Sequence, residues 1–305
     1  MTDELDWNVA IYCFNEEKRL KGCLDSVIAA LTGRRALITV VLNGSQDRSL
    51  DIAREAALAG GPIEIFQIAA ADKSNAINQF IYTLRSPASA YGAVDGYAYI
   101  AATSFRAMEE RLEADSHAMA VTGVCTNGRT MKLAAERTLK IGGQLHGQLH
   151  AFRRDFFDRM VTRGIKVPIG TYWGDGLLGS MAAHNLDAIS QPWDNRRIVG
   201  VAAATYEIPA LSLFSIDDVR RHLRRKVRQM RGRIQNSAIK DLIYRESYEG
   251  LPQDADELVE NYLAVHGLPK VGWLDRAFQM VAIRQSQRAP KRERASLTPH
   301  RVELG

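Results

Sequence analysis

Side chains able to do chemistry recur in this sequence after short apolar runs. Asn15, Glu16 and Glu17 follow one run, Asn43, Ser45 and Asp47 a second, and Asp72, Lys73 and Asn75 a third. Any one group alone is an ordinary loop or helix cap. Three in succession describe a polar crevice large enough for a nucleotide. Farther on, Asp175 lies between two glycines in a polar loop that begins Tyr172-Trp173. A dense basic run follows: Arg220, Arg221, Arg224, Arg225, Lys226, Arg228, Arg231 and Arg233. His146 and His150 stand four apart, a spacing that would suit a metal on a helix. Gly142, Gly143 and Gly147 argue against a helix there, so the pair is expected to line a site or to pack.

The elements that must position these groups follow from hydrophobic periodicity. Residues 8–14, 36–42 and 63–68 are apolar runs without helical period and read as buried strands. Between and after them, Leu20, Leu24, Val27, Ile28 and Leu31 mark an amphipathic helix, and residues 50–58 and 74–84 mark two more. A fourth strand is expected over 97–101. Strands alternating with helices predict an α/β fold: a mostly parallel, Rossmann-like sheet with helices on both faces. In such sheets ligands lie outside the carboxyl ends of the strands, where the three polar groups fall. The second half reads as a strand over 118–124, an extended segment over 145–152 and helices over 153–160 and 177–184. A long arginine-rich helix over 217–244, an acidic helix over 252–267, a short helix over 272–285 and a charged, mobile tail from 288 complete the chain.

Composition narrows the function classes. A chain of 305 residues with 46 % hydrophobic and 25 % charged residues can bury a full core. That excludes a disordered protein or a disulfide-stapled miniature. Cys13, Cys23 and Cys125 are too few and too scattered for a disulfide framework or a zinc site, and read as buried thiols. The net charge of +5 is basic, but the arginine run has no interleaved aromatics, so no nucleic-acid partner is expected. No apolar run is long enough to span a membrane; residues 199–214 come nearest, and Glu207 and Pro209 interrupt them. The acidic first residues lack a basic-then-apolar signal pattern. The expected location is cytoplasmic, in solution or at the inner face of a membrane.

Six segments, in order, carry a family resemblance. Val9-Ala-Ile-Tyr-Cys-Phe-Asn-Glu-Glu17 resembles the strand and Tyr-Asn-Glu opening of the family 2 glycosyltransferases of the GT-A fold. Ile38-Thr-Val-Val-Leu-Asn-Gly-Ser-Gln-Asp47 is similar to their Val-Val-Asp-Asp-Gly-Ser-Thr-Asp segment, and Lys73-Ser-Asn-Ala-Ile-Asn78 to their Lys-x-x-Ala-Leu-Asn. Residues 115–123 match the strand after their metal motif, and residues 147–154 their Gly-x-x-x-Ala-x-Arg-Arg. Trp173-Gly-Asp-Gly-Leu-Leu178 stands where they carry Glu-Asp-x-x-Leu. The resemblance implies a GT-A-like domain over 1–215, with a nucleotide half to about 105 and an acceptor half from 106. Residues 216–305 form a basic helical extension and tail.

The resemblance also implies a chemistry: inverting transfer of a sugar from a nucleotide-diphosphate sugar to a hydroxyl acceptor, carbohydrate or lipid-linked, in glycan or glycolipid synthesis. Asp175 would be the base that deprotonates the acceptor; an N-cap is the plain alternative. Phe14, Asn15, Glu16, Asn43 and Lys73 would bind the nucleotide sugar. For Phe14 the alternative is core packing, for Asn43 a turn, and for Lys73 a solvated helix start. His150, Tyr172 and Trp173 would form the acceptor side. Family members end their fourth strand with Asp-x-Asp, which holds a divalent metal on the pyrophosphate. Against the strand expected here, those positions are Ala101 and Thr103, which cannot replace carboxylates around a hard cation. Asp95 would then fall at the strand's other end. The expectation is a site with no metal ligands and no cofactor, Mg²⁺ and Mn²⁺ being disfavoured. Arg224, Arg225, Arg228 and Arg231 would meet the diphosphate, or an anionic membrane surface, or only solvent. The rival class is a binding or scaffold protein that kept the fold and lost catalysis.

Overall fold

The computed structural model describes residues 4–208, 216–269, 271–287 and 293–304. Strands β1 (Leu5–Cys13), β2 (Ala36–Asn43) and β3 (Ile63–Ile68) alternate with helices α1 (Leu20–Ala30), α2 (Ser49–Leu58) and α3 (Lys73–Gln79). The third helix runs on into a π-helical turn, Phe80–Leu84. β4 (Ala88–Asp95), β5 (Tyr99–Ile100), α4 (Ser104–Ala114), β6 (Ala120–Cys125) and α5 (Arg129–Ile141) follow. Next come β7 (Leu149–Arg153), α6 (Arg154–Arg163), α7 (Gly174–Ala183) and β8 (Ile198–Glu207). The chain ends with α8 (Ile216–Glu246), α9 (Ala255–His266), α10 (Trp273–Gln287), α11 (Arg294–Leu297) and β9 (His300–Arg301).

The strands form one sheet in the order β5-β8-β6-β7-β4-β1-β2-β3-β9. Its centre, β4-β1-β2-β3, is parallel, as the alternation of strands and helices requires. β7 runs antiparallel between β4 and β6 and makes the sheet mixed. Strand alternation sends side chains to two faces. Val9, Ile11 and Cys13 of β1 pack with Leu20, Leu24 and Phe105 of α1 and α4. Ala10 and Tyr12 face the other way, toward Ile77 of α3, Phe156 of α6, Leu177 of α7 and Ile239 of α8. The C-terminal extension is therefore part of the core, since Ile239, Ile243 and Tyr248 share one buried cluster with the sheet.

Two expectations change, those for the fourth strand and for the tail. The fourth strand is Ala88–Asp95, not 97–101, which yields only the short β5. Asp95 consequently ends that strand, paired in register with Tyr12, instead of beginning it. The carboxylate position at the end of the fourth strand is thus filled. Ala101 and Thr103 lie beyond it, at the entrance to α4. The apolar stretch from 199 is strand β8 as far as Glu207; residues 209–214 lie outside the described residues. The described part of the tail is also not loose. Gln67 and Phe66 of β3 pair with His300 and Arg301, and the Asn75 amide donates to the Leu297 carbonyl. Among the described residues no helix is long and apolar enough to cross a membrane.

Candidate active site

The carboxyl ends of β1, β2 and β4 and the amino end of the reversed β7 meet at one edge of the sheet, with Cys13 opposite Leu42, Tyr12 opposite Asp95 and Val94 opposite Leu149. Onto this edge α3 and α7 point their first turns. Asp72 caps α3 by accepting from the Asn75 N–H, which fixes the helix start and delivers Lys73 to the edge. Lys73 Nζ lies 2.5 Å from Asp95 Oδ1 and 2.8 Å from Asp175 Oδ2. Three residues far apart in sequence thus form one ion cluster, with net charge of one negative unit.

The surroundings shape its protonation. Gly147, on the approach to β7, passes so close that an added Cβ would lie 2.5 Å from Asp175 Oδ2 and 3.3 Å from Lys73 Nζ. Burial pushes the Asp175 carboxyl up, but attraction to Lys73 and the neighbouring His150, with the Lys73 hydrogen bond, holds it below the usual carboxylate range. Its position in the first turn of α7 adds the favourable end of the helix dipole. For Asp95, burial dominates; together with repulsion from Asp175 it outweighs the pull of Lys73 and raises the carboxyl. Burial opposes charge on Lys73, yet the two carboxylates more than compensate and raise its pKa. Beneath them His150, 2 % exposed, binds the His146 carbonyl through Nδ1 at 2.9 Å. Burial pushes its imidazole down to about 4. Asp175 Oδ1 is buried and has no hydrogen-bond partner among the described residues.

Asp95 is held from behind by a polar chain. The Tyr97 hydroxyl donates to Asp95 Oδ2 at 2.9 Å and accepts from Gln148 Nε2 at 3.1 Å. Gln148 Oε1 accepts from the Tyr206 hydroxyl at 3.2 Å, which meets His146 at 3.1 Å. Nothing in the sequence marked Tyr97, Gln148 or Tyr206 as a group, because they come from a loop, the entry to β7, and β8.

The other expected site residues divide. Asn43 ends β2 and is buried; Phe14 follows β1 and is 49 % exposed, which removes the core-packing reading. Asn15 adopts φ 54° and accepts from the Gln46 N–H, while its own N–H donates to Ser45 Oγ. Its side chain thus stitches the first two strand-end loops together. Glu16 is turned to Arg19 at 2.9 Å. A cavity of about 570 Å³ opens beside these loops, lined by Asn15 to Arg19, Gln46 and Asp47. Of the acceptor-side residues, His150 lies under the ion cluster and not on a surface. Tyr172 is half-buried with its N–H on Gln235, and Trp173 is 44 % exposed.

The four arginines singled out on the basic helix divide. Arg231 pairs with Asp256 of α9 at 2.5 Å, so it fastens two helices together. Arg228 is exposed. Arg224 and Arg225 lie on α8, but their side chains fall outside the described residues.

The place a divalent metal would take between the two carboxylates is held by an ammonium. Asp95 and Asp175 are bridged by the Lys73 ammonium, and the second position after the strand is Tyr97, whose hydroxyl is engaged with Asp95. Among the described residues no three His, Cys, Asp or Glu side chains could hold an ion. A hard cation wants several oxygen ligands and no neighbouring positive charge.

Solved structures share this fold. A mannosyltransferase from Pyrobaculum calidifontis, solved with GDP-Man and Mn²⁺, is 16 % identical, with 94 % of this chain and 76 % of that one covered and a TM-score of 0.58. Residues 1–349 of S. aureus TarS are 14 % identical, covering 92 % and 80 % at a TM-score of 0.57. No curated protein matches the sequence. The family model described as glycosyl transferase family 2 matches residues 8–171. That match takes in more than half of the chain, including Lys73 and Asp95 in the ion cluster, and the fold is that of the GT-A glycosyltransferases: the chain belongs to glycosyl transferase family 2.

Proposed function

We propose that this chain transfers a sugar, with inversion, from a nucleoside-diphosphate sugar to a hydroxyl acceptor, and that Asp175 is the base. The observation that carries the reading is the buried Oδ1 of Asp175, which has no hydrogen-bond partner among the described residues although Oδ2 belongs to the ion cluster. A buried carboxylate oxygen without a donor costs free energy unless a ligand supplies one. An acceptor hydroxyl would donate to it, lose its proton there and attack the anomeric carbon from the face opposite the diphosphate. Lys73 would hold Asp175 ionised at neutral pH and lend its ammonium to the departing diphosphate. Phe14 and Asn43, at neighbouring strand ends, would meet the nucleoside. Trp173 would flank the acceptor. No step is routed through a metal.

The rival reading, a binding protein without turnover, is favoured by the same ion pair, since Lys73 occupies the other Asp175 oxygen at 2.8 Å. One experiment separates them. Thermal unfolding is followed with GDP- and UDP-sugars, with and without Mn²⁺, and released nucleoside diphosphate is measured alongside. A ligand at 100 times its Kd adds about 2.7 kcal/mol of stability. Stabilisation with turnover supports the transferase. Stabilisation without turnover on any acceptor leaves a binding protein, and no stabilisation by any nucleotide sugar overturns both.

A further inference from the structure

A second feature of α7 faces away from Asp175. Trp173, Gly176, Leu177 and Ser180 succeed one another at helical spacing along one side of this helix and, with the middle of α8, line a cavity of about 330 Å³. Trp173 and Trp193 both line it, 44 % and 47 % exposed. Asn236 and Lys240, one helical turn apart on α8, line it too, and both are exposed. Large aromatics left in water beside convergent polar groups are the composition of a ligand site, and the volume is at the low end for one.

The tryptophan nearest the base is held in place by a close approach. Gly232, inside α8, lies so near that an added Cβ would stand 2.6 Å from Tyr172 Cδ1 and 3.2 Å from Trp173 Cζ3. Glycine inside a helix costs about 1 kcal/mol relative to alanine. That cost is met here because no larger residue lets the Tyr172-Trp173 loop lie against α8. Trp193 is fixed from its other side: its Nε1 donates to Asn195 Oδ1 at 2.7 Å, and His184 meets the ring edge-on at 5.5 Å. Both indoles are thus positioned without being covered.

We infer that this cavity is a saccharide subsite that grips an acceptor glycan one or more residues away from the hydroxyl that reacts. The inference rests on the transferase reading above. Sugar rings present C–H faces that suit indole and hydroxyls that suit an amide, an ammonium and a hydroxyl; Trp, Asn236, Lys240 and Ser180 supply that set. A lipid tail would not use the polar groups. Trp173 lines the cavity and stands two residues before Asp175, at the start of α7, so a glycan seated here would reach the base by rounding that first turn. The site favours acceptors longer than a single sugar.

The test uses the full chain on a printed glycan array, with released nucleoside diphosphate measured in parallel. Wild type is expected to bind oligosaccharides. Trp193→Ala should weaken that binding about tenfold or more, the usual cost of removing a tryptophan anchor. Asn236→Arg, at an exposed helix position, should block the cavity without threatening the fold. Both variants should leave hydrolysis of the sugar donor by water unchanged and raise KM for an oligosaccharide acceptor. No glycan bound by wild type, or glycan binding untouched by both variants, overturns the subsite even if donor turnover is normal. Trp193-dependent glycan binding with no nucleotide-sugar turnover would keep the subsite and discard the transferase reading.

Discussion

Replacing Asp175 by Asn separates chemistry from binding and from folding, because the geometry assigns each a different magnitude. The carboxamide keeps the shape of the side chain and can still accept from Lys73 through its oxygen, at the place where the carboxylate now accepts at 2.8 Å. Removing one partner of a buried ion pair costs about 3–5 kcal/mol when the other charge is left unpaired. Here Lys73 keeps Asp95 at 2.5 Å, so it is not left unpaired. The variant also relieves the repulsion that Asp175 exerts on Asp95. Stability should therefore change by no more than about 1 kcal/mol, a shift of about 2–4 °C in Tm. The cluster goes from one net negative charge to none, so nucleoside diphosphate should bind as tightly as before or tighter. Turnover is another matter. Losing a general base costs about 10²–10⁴-fold, or about 3–5 kcal/mol in the barrier. Nucleoside diphosphate release, calorimetric titration and thermal unfolding measure the three quantities. Turnover within a few-fold of wild type, with the fold intact, would refute the assignment of the base. Turnover and donor affinity falling by one common factor would refute it too, by moving Asp175 into binding.

Lys73→Met leaves two buried carboxylates facing each other and should cost about 3–5 kcal/mol in chemical denaturation, much of it recovered in the Lys73→Met, Asp175→Asn double variant; additive effects would argue against a shared ammonium. Gly147→Ala drives a methyl to within 2.5 Å of Asp175 Oδ2; at the sensitivity of aligned groups to about 1 Å of misplacement, kcat should fall about 10²-fold, and an unchanged kcat would mean the loop yields freely. Turnover should survive EDTA, because an ammonium already bridges the carboxylates; strict dependence on Mn²⁺ or Mg²⁺ would show that Lys73 gives way to an ion. His150, buried and neutral with a pKa near 4 against about 6.5 when unfolded, takes up a proton on unfolding between those values. Its contribution is intact above about pH 6.5 and is lost as the pH falls toward 4, by about 2 kcal/mol at pH 5. Urea unfolding at pH 7 and 5 should show a smaller drop in His150→Gln, and equal drops would refute it.

How much of this was legible depended on what each element is made of. β2 and β3 are rich in β-branched residues, and α1 carries a regular apolar stripe, so both kinds of period stood out in the sequence. β4 did not stand out. It reads Ala-Ser-Ala-Tyr-Gly-Ala-Val-Asp, with a single β-branched residue. Flanked by β1 and β7 in the middle of the sheet, it is held by pairing on both edges and does not depend on strand propensity. The partners of the basic helix were hidden for another reason. Asp256 and Asp275 come from α9 and α10, and only the fold of the extension brings them to Arg231 and Lys226. A run of arginines that reads as a single positive face is partly spent on holding three helices together.

The displacement of that one strand reaches the chemistry. With the strand over 97–101, the positions at its end are alanine and threonine, and that strand has no carboxylate to offer the site. With the strand over Ala88–Asp95, Asp95 stands at the sheet edge, and Lys73, which the sequence offers as a nucleotide contact or a solvated helix start, becomes the bridge between Asp95 and Asp175. The site is then not one that lost its charges. It holds two carboxylates and a fixed cation, with Tyr97 where a second acid would stand and bound to the first. A buried pair of like charges persists only with a counter-charge in place. Whatever ligand approaches Asp175 must therefore meet Lys73 as well, and the proposed transfer requires the ammonium to serve the carboxylates and the departing group in turn.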